Sequence, residues 1–333
     1  MASNTQTLPA KTAKISPSPG KRLMGRPWWP WLKRGAGVVF FVFVATLIVS
    51  QARNIDWDEV LASLQNYPVT AAWGAALLAA ASFTLYSCFD LLGRRYTGHT
   101  IGTGTVMVTT FVSYVFNLNL GSLVGGVAMR YRLYSRLGLA TGTITRVMSF
   151  SMLSNWMGYV FLAGMLFSIR PPELPASWPI DAAGLRLIGF GLLAAAAAYL
   201  AICAFTRRRV LGLRGHSVEL PSARMAALQL LMGACNWLLM SGILFILLQH
   251  RVGFTAVASV LLISSIAGVI AHIPGNLGVL EAVFVALLSH KLPQADILVA
   301  LVAYRVVYYL APLGVATLTY VFLESRARHL ATN

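Results

Sequence analysis

The sequence predicts an all-α integral membrane protein, with about six transmembrane helices and two oppositely oriented re-entrant helical hairpins arranged as an inverted repeat. Three observations carry that reading. Of 333 residues, 57% are hydrophobic and only 11% are charged, which leaves too little polar surface to cover a water-facing globule of this length. The apolar residues gather into runs of roughly 20 or more, the helical length that crosses a hydrocarbon core of about 30 Å. The 26 Lys and Arg against 10 Asp and Glu lie between those runs, where basic residues report membrane sidedness rather than a nucleic-acid partner.

The elements follow in chain order. Residues 1–34 form a basic cytoplasmic tail whose first 25 residues, rich in Ser, Thr, Pro and Lys, show no apolar period and are expected to be disordered. A first span covers 35–51. Trp28, Trp29 and Trp31 make an interfacial belt before it. The long charged segment ahead of the span argues against signal-peptide cleavage near Ser50-Gln51-Ala52. Further spans cover 68–92, 144–169, 184–206, 225–249 and 295–323, so the membrane domain runs from 35 to 323 and a short cytoplasmic tail from 324 to 333. Two other apolar stretches, 103–137 and 254–290, each contain two helical pieces separated by a glycine-containing break. The breaks are Asn119-Leu120-Gly121 and Pro274-Gly275-Asn276-Leu277-Gly278.

Charge decides how those two stretches enter the bilayer, because cytoplasmic loops accumulate Lys and Arg. If 103–137 crossed once, Arg130, Arg132 and Arg136 would face outward; as a hairpin that enters and returns, it keeps them inside. With both stretches as hairpins, only Arg53, Arg170, Arg186, Arg251 and Lys291 lie outside. Arg305 lies within a span, and the other twenty basic residues share one face with both termini. Halves of about 68–169 and 225–323 then have the same plan in opposite orientation, with Asn-Leu-Gly at each break. Inverted repeats with discontinuous helices typify transporters that hold substrate at the repeat interface, although glycine at a break also serves close helix packing.

The runs Asn117-Leu118-Asn119-Leu120-Gly121 through Gly125-Gly126 to Arg130, and Ile273 through Ala282 followed by Ala303-Tyr304-Arg305, give the chain its family character. They resemble the membrane domain of lysylphosphatidylglycerol synthases, the flippase half of those bifunctional proteins, in the stand-alone form of the YbhN-like inner-membrane proteins. The resemblance spans 35–323 and implies a bacterial inner-membrane protein that moves or handles phospholipid. It does not carry over the transferase activity, which in the bifunctional proteins belongs to a soluble domain after the membrane part; about ten residues follow the last span here. The first hairpin departs from expectation in lacking a proline near its tip.

Candidate pathway residues follow from the cost of burying charge in lipid. Glu281 lies in the first turn after the second break, where a helix N-terminus favours an anion. Arg305 lies at mid-depth of the last span, and its planar fork suits phosphate. The two are expected to pair in the empty site, with a lipid phosphate competing for Arg305. Arg130 could hold a headgroup or serve only as a positive-inside anchor. Asp90 stands four residues before Arg94, the spacing of a local helical pair, and could also join the pathway. Asn119 and Asn276, with Asn117, are suited to satisfying freed backbone groups. Tyr304, with Tyr308 and Tyr309, could line a cavity. His272 reads as a packing residue ahead of a proton carrier, Asn155-Trp156 and Asn236-Trp237 as interhelical hydrogen-bonding pairs, and Cys88, Cys203 and Cys235 as apolar fillers.

The functional expectation is a phospholipid flippase or lipid transporter moving an anionic or aminoacylated phospholipid between leaflets. The alternatives are an intramembrane lipid-modifying enzyme and a non-transporting regulator of envelope lipid synthesis. The sequence calls for no cofactor, no metal and no nucleic acid. Its expected partners are membrane phospholipids, with room for a lipid-synthesis enzyme or a second copy.

Overall fold

A computed structural model describes residues 68–333 except 176, 177, 179, 207–209, 214, 215, 272 and 333; side chains are described outside 123, 124, 210–213, 216–219, 274 and 326–332. The predicted tail, the span 35–51 and His272 therefore lie outside the described residues. The first helix, α1 (Val69–Thr97), is rich in alanine and leucine and stops at Gly98, whose φ of 73° allows its N–H to return to the Arg94 carbonyl. Then come α2 (Thr103–Leu120), a π-helical segment at Ser122–Ala128, α3 (Met129–Arg136), α4 (Thr141–Ile169) and α5 (Ala182–Phe205). The side chain of Asp181 caps α5 by accepting from the Gly184 N–H at 2.8 Å. A short antiparallel hairpin follows, β1 (Val210–Leu213) and β2 (His216–Glu219), a small addition to the helical plan.

The second half holds α6 (Ala223–Leu247), α7 (Phe254–Ala271), a 3-10 turn at Pro274–Asn276, α8 (Val279–Leu288) and α9 (Gln294–Arg305). A second π-helical segment, Val306–Leu310, joins α9 to α10 (Ala311–Thr332). Six of the described helices are long and apolar enough to cross a membrane, but they are not the six assigned from the sequence. Span 35–51 is not among the described residues. The other five spans expected from the sequence are matched, and the sixth described helix is α7, read above as one limb of a hairpin, whose 18 residues extend about 27 Å. The last span is one continuous helical run from Gln294 to Ser325.

Helix α6 is the centre of the bundle, touching α1, α4, α5, α7 and α9. Glycine sets its closest crossing. A Cβ on Gly158 of α4 would stand 2.2 Å from the Gly233 carbonyl carbon of α6, so the two backbones meet at a distance only glycine permits. Buried polar groups stitch the same helices together. Gln229 donates to the Ser154 hydroxyl at 3.0 Å and Ser82 donates to Asn236 at 2.8 Å. Trp237 Nε1 donates to the Asn155 carbonyl at 3.4 Å, in keeping with interhelical bonding at the two Asn-Trp pairs. Helix α5 packs on α4 and α6 and otherwise exposes an apolar surface that includes Leu187, Phe190 and Ile202.

Both broken stretches fold as helical hairpins. In the first, α2 packs against the π-helical segment and α3; in the second, α7 packs against α8. The pair Gly125-Gly126 explains the tightness of the first. A Cβ on Gly125 would lie 2.0 Å from the Phe116 carbonyl oxygen, and one on Gly126 would lie 2.6 Å from Asn117 Oδ1.

Candidate functional site

The second break is made by backbone conformation. Gly275, Asn276 and Gly278 have φ of 65°, 54° and 78°, left-handed values that end one helix and reopen the chain before α8. Leaving helical geometry frees carbonyls that need partners away from water. Arg305 supplies them: Nη1 donates to the Gly275 carbonyl and Nη2 to the Asn276 carbonyl, each at 3.1 Å. The same guanidinium meets Glu281 along one edge, Nε to Oε1 at 2.6 Å and Nη2 to Oε2 at 3.0 Å. Glu281 in turn accepts the Gly278 N–H at 2.9 Å, closing the helix start. Arg305 and Glu281 are thus paired as the sequence suggested, and they keep 15% and 23% of their side-chain surface.

The first break comes to the same place. Asn119 donates to the Val115 carbonyl at 2.9 Å and reaches the Tyr309 carbonyl in the second π-helical segment at 3.4 Å. The Leu118 carbonyl oxygen lies 3.4 Å from where a Cβ of Gly275 would be. The two tips therefore abut beside Arg305, and the Tyr309 ring lies 5.5 Å from its guanidinium. Asn276 donates to the Ser264 carbonyl at 3.1 Å while its Oδ1 is buried without a hydrogen-bond partner. That oxygen fills the space beside Gly268, where a Cβ would stand 1.9 Å away.

Arg130 and Asp90 form a second centre. Arg130 Nε and Nη2 donate to Asp90 Oδ2 and Oδ1, both at 3.2 Å, and Nη2 also donates to Ser151 Oγ at 3.3 Å. Tyr134 donates to Asp90 at 2.9 Å, and the Tyr86 ring lies 6.0 Å from the guanidinium. Only 2% of the arginine side chain and none of the aspartate is exposed. This corrects the local pair expected from spacing. Arg94 instead donates to the Ile101 carbonyl and Thr103 Oγ1, at 2.9 and 3.1 Å, where it holds the turn before α2.

A buried column of tyrosines runs between the two centres. Tyr86 stacks on Tyr114 with ring centroids 3.4 Å apart, the Tyr114 and Tyr308 hydroxyls are 3.4 Å apart, and Tyr308 also meets Ser82 at 2.8 Å. Tyr304 stacks parallel to Tyr308, and both contact Tyr309. Tyr304 is fully buried and its hydroxyl has no hydrogen-bond partner, so it belongs to this packed wall instead of lining an open cavity. Reasoning from sequence missed the roles of Ser151, Tyr134 and Tyr86 and of the tip carbonyls. The i to i+4 spacing of Arg130 and Tyr134, which places both on one face of α3, is a signal for Tyr134 alone.

An apolar helical bundle with six helices long enough to cross a membrane, and broken helices held by arginine–carboxylate pairs, is an integral membrane protein. Residues 35–316 match the family described as Lysylphosphatidylglycerol synthase TM region, and the chain belongs to that family. It is 45% identical to the Inner membrane protein YbhN of Escherichia coli, over 91% of this chain and 96% of that one. A Synechocystis protein, slr0712, is 33% identical over 85% of this chain and 88% of its own length. A more limited match, 28% identity over 96 residues, links the chain to 11% of the Phosphatidylglycerol lysyltransferase of Staphylococcus haemolyticus.

Proposed function

We propose that the protein is a flippase or transporter that moves phospholipid across the bacterial inner membrane, with its two helical hairpins entering the bilayer from opposite faces and both termini in the cytoplasm. The observation that carries this reading is the meeting of the two hairpin tips at a half-open arginine–carboxylate pair. Val306 directly after Arg305, Leu310 one turn further on and Ile273 just before the second break are apolar and exposed, a surface suited to acyl chains. A headgroup phosphate displaces Glu281 from the Nε and Nη2 edge of Arg305, while the Gly275 and Asn276 carbonyls hold the guanidinium in place. The acyl chains stay in lipid. Asp90 and Arg130 act as a clamp that fixes the first hairpin and so positions its tip. The family membership and the lipid named in the lysyltransferase relative support a lipid role, as does the name of the Escherichia coli relative for the inner membrane.

The test is leaflet exchange of labelled phospholipid in liposomes holding the purified protein, in wild type and in Arg305→Ala. Wild type accelerates exchange and the variant loses at least about tenfold of it, the scale of a charge-assisted contact. Exchange no faster than in empty liposomes across several lipid classes would sink the transport reading. A chemically altered lipid would favour an enzyme, and neither exchange nor alteration would favour a regulator of lipid synthesis.

A further inference from the structure

We infer that the Glu281–Arg305 site selects a zwitterionic headgroup, one carrying both a phosphate and a primary ammonium, over a purely anionic one. The inference rests on the reading of this site as the headgroup site and adds which headgroup it takes. The pair is neutral and both partners reach the surface, so a ligand that separates them meets both charges. Arg305 is anchored from one side by the Gly275 and Asn276 carbonyls, so it stays in place when Glu281 leaves. The edge thereby freed presents Nε and one Nη2 N–H side by side, the geometry that matches two phosphate oxygens.

Glu281 is then the group whose needs decide the ligand. Without Arg305 it keeps the Gly278 N–H on Oε2, and Oε1 is left bare. No Lys or His among the described residues bonds to it, and Arg305 is the one arginine that does. A purely anionic headgroup places a second negative charge beside this carboxylate and leaves one arginine to balance both, in surroundings where unpaired charge is poorly solvated. A headgroup with an ammonium a short linker away from its phosphate exchanges one ion pair for two. A primary ammonium brings three N–H donors to Oε1, and a trimethylated one brings none. The Asp90–Arg130 pair cannot select in this way, because neither partner is exposed.

The experiment uses the purified full-length protein and three short-chain probes: dihexanoyl phosphatidylethanolamine, phosphatidylglycerol and phosphatidylcholine. Binding is read in detergent from the unfolding midpoint, and leaflet exchange is read separately in liposomes with acyl-chain-labelled forms of the same lipids. The expected result is that phosphatidylethanolamine binds about tenfold more tightly than phosphatidylglycerol, the range of a close charge pair. In Glu281→Gln, which keeps the side chain's shape, that ratio falls below about threefold because the anionic lipid no longer meets a carboxylate. Equal binding of the two lipids by wild type, or a ratio untouched by Glu281→Gln, overturns the inference. Phosphatidylcholine binding as well as phosphatidylethanolamine overturns the requirement for N–H donors. Selective binding without exchange removes transport and keeps the headgroup assignment; exchange without selectivity does the reverse.

Discussion

The Asp90–Arg130 and Glu281–Arg305 pairs are similar in chemistry and different in access. Asp90 and Arg130 are sealed, with Ser151 and Tyr134 taking further hydrogen-bonding capacity of the pair. Glu281 and Arg305 are bound as closely but keep part of their surface, and half of the arginine's hydrogen bonds go to backbone carbonyls at a broken helix. A sealed pair contributes most when it is left intact, because removing one partner strands the other charge. A half-open pair can exchange partners, since solvent or a headgroup can take the place of what is displaced. The number of ion pairs therefore says little about function here, and the exposure of each pair says a great deal.

The sharpest way to break this comparison is Arg130→Ala or Asp90→Ala. Stranding a buried charge is expected to cost about 3–5 kcal/mol, seen as a large fall in unfolding midpoint in detergent or loss of folded protein on expression. If either variant unfolds like wild type, the clamp assignment fails. Gly125→Ala comes next. A methyl pressed toward the Phe116 carbonyl forces the first hairpin apart at roughly 1–3 kcal/mol, and the exposed alanine control Ala194→Gly in α5 should cost about 1 kcal/mol at most.

Arg305→Ala should destabilise less than Arg130→Ala, by about 1–2 kcal/mol once its exposure is allowed for, while on the proposed transport reading lipid exchange falls at least about tenfold. A loss of stability equal to that of Arg130→Ala would erase the distinction between the two centres. The smallest effect belongs to Arg251→Ala, whose partner Asp296 at 2.6 Å is, like the arginine itself, 46% exposed. Its unfolding midpoint should stay within the range of about ±0.5 kcal/mol typical of surface changes.

The two centres also differ in how far they could be read from the sequence. Glu281 and Arg305 stood out because each carries a local signal: a carboxylate three residues after a glycine break, and a lone arginine deep in an apolar run. Helical spacing, the distance a sequence displays directly, matches Asp90 with Arg94. Its partner is 40 residues away, brought in by the folding of the first hairpin. The membrane-spanning helical plan was legible from run length, since apolar length is a bulk property of each segment. The stretch at Phe254–Ala271 was harder, because the Pro-Gly break after it obscured that its first limb alone is long enough to cross. The tyrosine column was invisible for a different reason: Tyr86, Tyr114 and Tyr308 lie on three helices, and aromatic residues in apolar runs carry no partner information.

Each centre has a π-helical segment close at hand, Ser122–Ala128 before Arg130 and Val306–Leu310 directly after Arg305. A π turn holds an extra residue relative to the α-helix around it. Removing one residue from Val306–Leu310 would let the helix run on in α geometry, turning everything beyond it by about 100° relative to Arg305. On one side Arg305 is tied to Glu281 and the second tip, and on the other α10 packs against α2, so the two anchorages would fall out of phase. Chain length in these two short segments is thus as firmly fixed as any side chain, and related sequences aligned here should tolerate exchange of letters far better than a gap.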